Sequence, residues 1–229
     1  MEPGTAAAVP RQRWRLVLAR DAVGPDPGGR EQNDTWEAAI EGSSLPMYRP
    51  PGRPRARVAF GAPIPAGMVL ECELADIVLT EMLPSWVVRE RLAGLLPDGW
   101  RLIDLFDVWL GAPALAGQVA SADYRIKLDG IDAAAATTAA LSMLDAQALP
   151  RERQKGGTTV AYDLRPLLAA VAVVEPGPPL VVRARTRFDP VLGTGRPEEV
   201  IAALGAAAGA SPTVRSIVRE RLVLTEGSA

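Results

Sequence analysis

The sequence contains no histidine and a single cysteine, Cys72. Without histidine there is no Ser-His-Asp or Cys-His pair to make a nucleophile, and no histidine couple to move protons on RNA. One cysteine makes no internal disulfide, no zinc ribbon and no iron–sulfur cluster held by this chain alone. We therefore expect no catalytic residue of the common kinds, no metal site and no cofactor. Long apolar runs are missing too. The longest, "LLAAVAVV" (167–174), falls far short of the roughly 20 residues that span a bilayer. The opening "MEPGTAAAVPRQRWR" lacks the apolar centre of a secretory signal. The expectation is a cytoplasmic protein with no membrane partner.

What is present suits a globular fold. Apolar residues make up 48% and charged residues 23% of the 229 positions, with 25 basic against 27 acidic side chains. That length fits one large domain or two of about 110 residues. Along the chain, "RWRLVLA" (13–19) alternates as a strand with Trp14, Leu16 and Leu18 on one face. After the turn-rich "DAVGPDPGGREQ" (21–32), "NDTWEAAIEG" (33–42) reads as a helix capped by Asn33 or Asp34. "RARVAFGAP" and "GMVLECELADIVLTEM" read as strands joined around "PIPAG". "PSWVVRERLAGLLPDG" reads as a helix carrying Trp86, Val87, Leu92, Leu95 and Leu96 as its apolar side, with Gly99 beyond its end. "WRLIDLFDVWL" closes the half as a strand. The order then restarts: strand "ADYRIKLD", helix "DAAAATTAALSMLDAQAL", strands "GTTVAYDLRPLLA" and "LVVRARTRF", helix "RPEEVIAALGAAAG", strand "RSIVRERLVL". Both halves follow β-α-β-β-α-β, the order of a ferredoxin-like unit. The expected fold is α+β, two tandem ferredoxin-like units with antiparallel sheets, spanning 1–112 and 121–229 with a linker at 113–120. One continuous α+β domain is the competing organisation.

Three stretches carry arginine at alternate positions: "RQRWR" (11–15), "RPRAR" (53–57) and "RARTR" (183–187). Side chains two apart on a strand share a face. In "VVRARTRF" the face of Val182, Ala184, Thr186 and Phe188 suits packing on helices, which leaves Arg183, Arg185 and Arg187 on the open face. In "DYRIKL", Tyr124, Ile126 and Leu128 turn inward and Arg125 and Lys127 outward. The split topology makes these strands neighbours, so the bases would meet across the sheet. Opposed like charges are unfavourable, and something anionic should offset them. Two answers are open: acidic residues of the protein, or an anionic partner such as RNA. This face offers no alternating aromatics, so RNA would be held by its backbone without base reading. For Arg11, Arg13 and Arg15 the expected balance is Glu71 and Glu73 on a neighbouring strand.

The middle triplet lies in the acid-free interval from Gly42 to Leu70, where Arg49, Arg53, Arg55 and Arg57 stand among Pro46, Pro50, Pro51 and Pro54. Proline stiffens such a backbone and withholds sheet donors, and Tyr48 offers a ring for stacking. A basic, proline-fixed loop suits phosphate or an acidic protein surface; the plain alternative is a soluble connector. "GGREQND" and "GTGRPEE" lack the glycine spacing that cradles phosphate. Glu71, Glu73 and Asp76 form a weak magnesium candidate, and Asp163 with Arg165 reads as an ion pair at a strand end.

Several of these stretches resemble a known family. "TWEAAIEGSSLPM" is similar to its first helix, and "RVAFGAPIPAGMVLECELADIVLTE" to its strand–turn–strand motif. "LPDGWRLID", "SADYRIKL", "YDLRPLL", "GTGRPEEVIAALG" and "IVRERLVL" follow in order, covering residues 11–224. The family is the radical-SAM-linked domain of unknown function, a bacterial protein encoded beside or fused to a radical SAM protein. Where members carry a His-Leu-Asp element this chain has "EQNDTW", and "YRPPGRPRA" stands in place of a Gly-Phe-Asn-Pro loop, which marks a divergent member. The resemblance implies an accessory protein with a radical SAM protein as partner, in RNA or ribosome-related metabolism, and supplies no catalytic residue. The expected function is a non-catalytic accessory that binds RNA or a protein partner through Tyr48, Arg49, Arg53, Arg55, Arg57, Arg125, Lys127, Arg183, Arg185 and Arg187. An endoribonuclease-like enzyme and a purely structural assembly module are the alternatives.

Overall fold

The computed structural model describes residues 9–21, 29–53, 55–155 and 157–225; most of the turn-rich stretch after the first strand (22–28) and Pro54 lie outside them. The fold is α+β, with antiparallel strands and four helices among the described residues, none long and apolar enough to cross a membrane. The chain divides into two compact units, one ending at Gln118 and taking Thr225, the other running from Val119 to Leu224.

In the first unit, β1 (Gln12–Arg20), α1 (Gly29–Gly42), β2 (Ala59–Phe60), β3 (Val69–Leu79), α2 (Ser85–Leu92) and β4 (Trp100–Val108) follow one another. The sheet order is β2-β3-β1-β4. β1 alternates as its sequence implies, with Trp14, Leu16 and Leu18 buried opposite Ile77, Ala75 and Glu73. Its other face is buried as well, because Arg13 and Arg15 lie under residues 112–118. Helix α1 begins before Asn33: Gln32, Trp36 and Ile40 form one buried stripe at spacing four, and the extra turn brings Gln32 onto it. Helix α2 stops at Leu92, short of Leu95 and Leu96, because Ala93 is extended and Gly94 takes a positive φ of 75°. Its buried side chains are Val88 and Leu92, while Trp86 is 66% exposed. Of the expected apolar side, Leu92 is buried and Val87 half-buried, whereas Trp86 faces solvent and Val88 takes its place.

In the second unit, β5 (Val119–Asp129), α3 (Ala133–Asp145), β6 (Pro150–Lys155), β7 (Thr158–Asp163), β8 (Leu168–Glu175), β9 (Leu180–Asp189), β10 (Gly193–Thr194), α4 (Pro197–Ala208) and β11 (Thr213–Leu224) follow in order. The main sheet runs β8-β9-β5-β11, with β10 pairing the end of β9. The expected single strand at 157–169 is two pieces. β7 pairs back on β6 as a separate hairpin, and the strand beside β9 is the apolar "LAAVAVVE". Asp132 caps α3 by accepting from the Ala134 and Ala135 N–H groups at 2.9 Å. Helix α3 buries Ala136, Ala139 and Ala140 and packs on β8 and on α4, which buries Val200, Ile201 and Leu204. Each of the three larger side chains contributes roughly 1.5–3 kcal/mol when fully buried.

The expected Asp163–Arg165 ion pair is replaced by a helix cap. Arg165 donates to the carbonyls of Leu144, Ala146 and Leu168 at 2.7–3.1 Å, while Asp163 accepts from the backbone N–H of Leu149 and Arg165. A guanidinium at the end of α3 satisfies carbonyls the helix leaves open and suits its negative pole.

Candidate anion-binding cavities around the arginine loop

The loop of residues 48–58 is held at both ends. Tyr48 N–H donates to the Val78 carbonyl at 2.8 Å, which lays the loop's start along β3. Two acids of α1 hold the rest. Glu41 binds the Arg49 guanidinium and accepts from the Ala56 N–H at 3.1 Å, and Glu37 stands 3.9 Å from Arg55. The Arg49 hydrogen bond first, then the Ala56 N–H, hold the Glu41 carboxyl below its ordinary value, against a smaller opposing effect of burial. Arg53 and Arg57 are exposed, and their side chains make no hydrogen bond or ion pair among the described residues.

Those two side chains border a cavity of about 420 Å³ between α1 and the loop. Asn33, Trp36, Glu37, Phe60 and Ala62 also line it. Trp36 is almost fully buried, edge-on to Phe60 at 5.4 Å and to Trp100 at 5.0 Å between ring centroids. Its indole N–H has no hydrogen-bond partner among the described residues. Arg20 lies 5.4 Å over the Trp100 ring and braces the cluster from behind.

Arg57 also borders a second cavity, of about 400 Å³. Its charged floor is formed by Arg13 and Asp76, and Arg15 lies in the same cluster. The β1–β3 register sets Arg15 opposite Asp76. Asp76 accepts from Arg13 Nε at 2.8 Å and Nη2 at 2.5 Å, and from Arg15 Nε at 2.8 Å and Nη2 at 3.1 Å. Arg13 also donates to the Ala112 and Pro113 carbonyls at 2.8 and 3.0 Å, and Arg15 to Gln118 Oε1 at 3.4 Å. The expected balance by Glu71 and Glu73 is therefore corrected: Glu73 sits opposite Leu18, on the other face, and the carboxylate that meets the arginines is Asp76. That commitment also removes Asp76 from the magnesium reading. Among the described residues no three acidic, cysteine or histidine side chains are grouped to hold a metal.

In the second unit the arginine face is ordered by its own acids. Val182, Ala184 and Thr186 of β9 are buried and Arg183 and Arg187 exposed, with Arg185 between. Arg125 lies directly opposite Arg183, the like-charge pair implied by the pattern. Glu220 of β11 accepts from both, at 2.5 and 3.4 Å. Asp123 of β5 accepts from Arg185 at 2.6 and 2.9 Å and from Arg221 at 2.8 Å. The Arg185 hydrogen bond, then that of Arg221, hold Asp123 below the ordinary 3.8 while burial opposes them. Arg187 donates to the carbonyls of Pro166 and Leu168. Lys127 is exposed opposite Val181. Two carboxylates shared by four guanidinium groups leave this cluster formally two charges positive around a cleft of about 650 Å³.

The ten residues singled out in the sequence thus fall into two groups, Tyr48 to Arg57 in the first unit and Arg125 to Arg187 in the second. Asn33, Trp36 and Phe60, which wall the first cavity, and Asp123, Glu220 and Arg221 on the second unit's face were not among them. The even spacing of Gln32, Trp36 and Ile40 reads only as core. Asp123 was legible as a same-face neighbour of Arg125, two positions along the strand.

Residues 30–200 match an uncharacterized protein family conserved in bacteria, DUF2344. No curated protein matches the chain. With three quarters of its length inside the match, the chain belongs to that family.

Proposed function

We propose that this member of the DUF2344 family is a non-catalytic accessory protein of a bacterial radical SAM system, cytoplasmic, that holds RNA through the arginine loop of its first unit. Its two units are read as tandem ferredoxin-like folds. The sheet orders β2-β3-β1-β4 and β8-β9-β5-β11 support this, since each places second, third, first and fourth strands side by side and a helix follows the first and third. The link to a radical SAM protein rests on the sequence motifs given above.

The observation that carries the RNA reading is the contrast among the arginines. Arg49, Arg55, Arg125, Arg183 and Arg185 lean on acids, whereas Arg53 and Arg57 have none and stand beside an aromatic-walled cavity. The fixed loop lowers the ordering cost of meeting a phosphate, and Arg is suited to phosphate as a planar double donor. Backbone contact of this kind binds many sequences about equally.

Labelled single-stranded and hairpin RNA titrated across a salt series tests the reading. We expect a steep loss of affinity with salt and a slope shallower by about two in the Arg53→Glu/Arg57→Glu double variant, about one for each lost phosphate contact. Absence of RNA binding at low salt, with a tight complex to the radical SAM protein, would replace it by the assembly module. Metal-independent cleavage of the RNA would replace it by the nuclease.

A further inference from the structure

We infer that the second cavity, floored by Arg13 and Asp76, is a binding site for a small organic monoanion: a carboxylate on an apolar body. Arg13, Arg15 and Asp76 are 8%, 1% and 3% exposed, and together they carry one formal positive charge more than negative. The carbonyls of Ala112 and Pro113 and the amide of Gln118 spread that charge without cancelling it. A unit charge withdrawn from water is expensive to leave uncompensated. It also projects a strong field into any adjoining space of low dielectric. The cavity meets that field, because Arg13 and Asp76 line it among mostly apolar neighbours.

The walls define the rest of the ligand. Pro10, Pro50, Val78, Leu110 and Leu115 line it with carbon, and Tyr48 adds a ring and one hydroxyl. Apolar walls with a few convergent polar groups are the usual composition of a small-molecule site, and about 400 Å³ lies within its usual size range. Arg57 borders the same cavity with its side chain uncommitted among the described residues, so it provides the paired hydrogen bonds that Arg13, with four of its five N–H groups engaged, cannot. One excess charge on the floor and one at the border favour a single carboxylate. They offer little to a neutral molecule, and a cation is repelled. Arg57 is common to this site and to the RNA reading, whereas the floor of Arg13 and Asp76 and the apolar walls belong to this site alone.

Three probes with the same phenyl body test the charge requirement on the full chain: phenylacetate, its isostere phenylacetamide and the cation phenethylamine, titrated by calorimetry and by shifts of backbone amide signals. Phenylacetate is expected to bind with shifts at Tyr48, Ala59 and Val78, the amide at least about tenfold more weakly, and the amine not at all. Arg57→Gln, at an exposed position that leaves the core intact, should weaken phenylacetate by about fivefold or more, with Arg57→Lys recovering part of the loss. Arg89→Gln, on α2 and outside both cavities, should leave the affinity unchanged. Equal binding of acid and amide, shifts confined to other residues, or no binding at millimolar phenylacetate would overturn the inference whatever the outcome with RNA.

Discussion

The same arginine alternation meets two fates in β1 and β9. On β1 both faces are covered, and two guanidinium groups converge on one buried carboxylate supplied by the opposite residue of the partner strand. On β9 one face is covered and the other open. The neighbour opposite Arg183 is another arginine, and the carboxylates come from Asp123 and from Glu220 on β11, which pairs with β5 and not with β9. Register and cover, neither of which belongs to the arginine stretch itself, turn one pattern into a core element and the other into a surface.

The largest consequence to test is the difference in what each carboxylate holds. Asp76→Ala leaves two buried guanidinium groups without a counter-ion and should cost about 3–5 kcal/mol in urea unfolding. Asp123→Ala, among partly exposed partners, should cost about 1 kcal/mol. Equal losses would erase the difference between the buried and the surface carboxylate. Next in size, Arg15→Met should cost roughly 1–3 kcal/mol, less than Asp76→Ala, because Arg13 and Asp76 then remain as a one-to-one pair. Smaller still, Arg183→Thr removes a like-charge neighbour of Arg125 and should leave stability within about 0.5 kcal/mol of the parent. The last test concerns acid. Asp123 titrates lower in the folded protein than in the unfolded chain, so its contribution is complete above the ordinary 3.8 and fades as pH falls through the lowered value. Stability measured between neutral and strongly acid pH should therefore lose less in Asp123→Asn than in the parent over that lowest interval.

Much of the strand pattern was legible because side-chain period two is a local property. Trp14, Leu16 and Leu18, and the inward set of β9, follow directly from it. Which acid meets which arginine was not legible, since Asp76 rather than Glu73 faces Arg15 only once strands some 60 residues apart take a register. The β6–β7 hairpin and the strand role of "LAAVAVVE" were missed for a related reason: an unbroken apolar run carries no period to separate strand from turn. Trp86 was misplaced because α2 has only two turns, too few for its stripe to declare itself. Arg165 was paired with its sequence neighbour Asp163, although its reach ends at the carbonyls of α3. At the arginine loop, composition pointed to the segment; that two of its four arginines are occupied by Glu37 and Glu41 is a fact of helix α1's position.

The Arg15–Asp76 alignment also bears on how the first unit finds its fold. Shifting β1 against β3 by one residue would put Leu16 where Arg15 stands and turn the arginines toward Trp36 and the apolar side. Both guanidinium groups would then be drawn off Asp76 into the apolar side, so a near-miss pairing forfeits the four hydrogen bonds that the right one makes at once. The buried trio thereby acts as a proofreader of strand alignment, penalising misfolded neighbours more than it strengthens the native state.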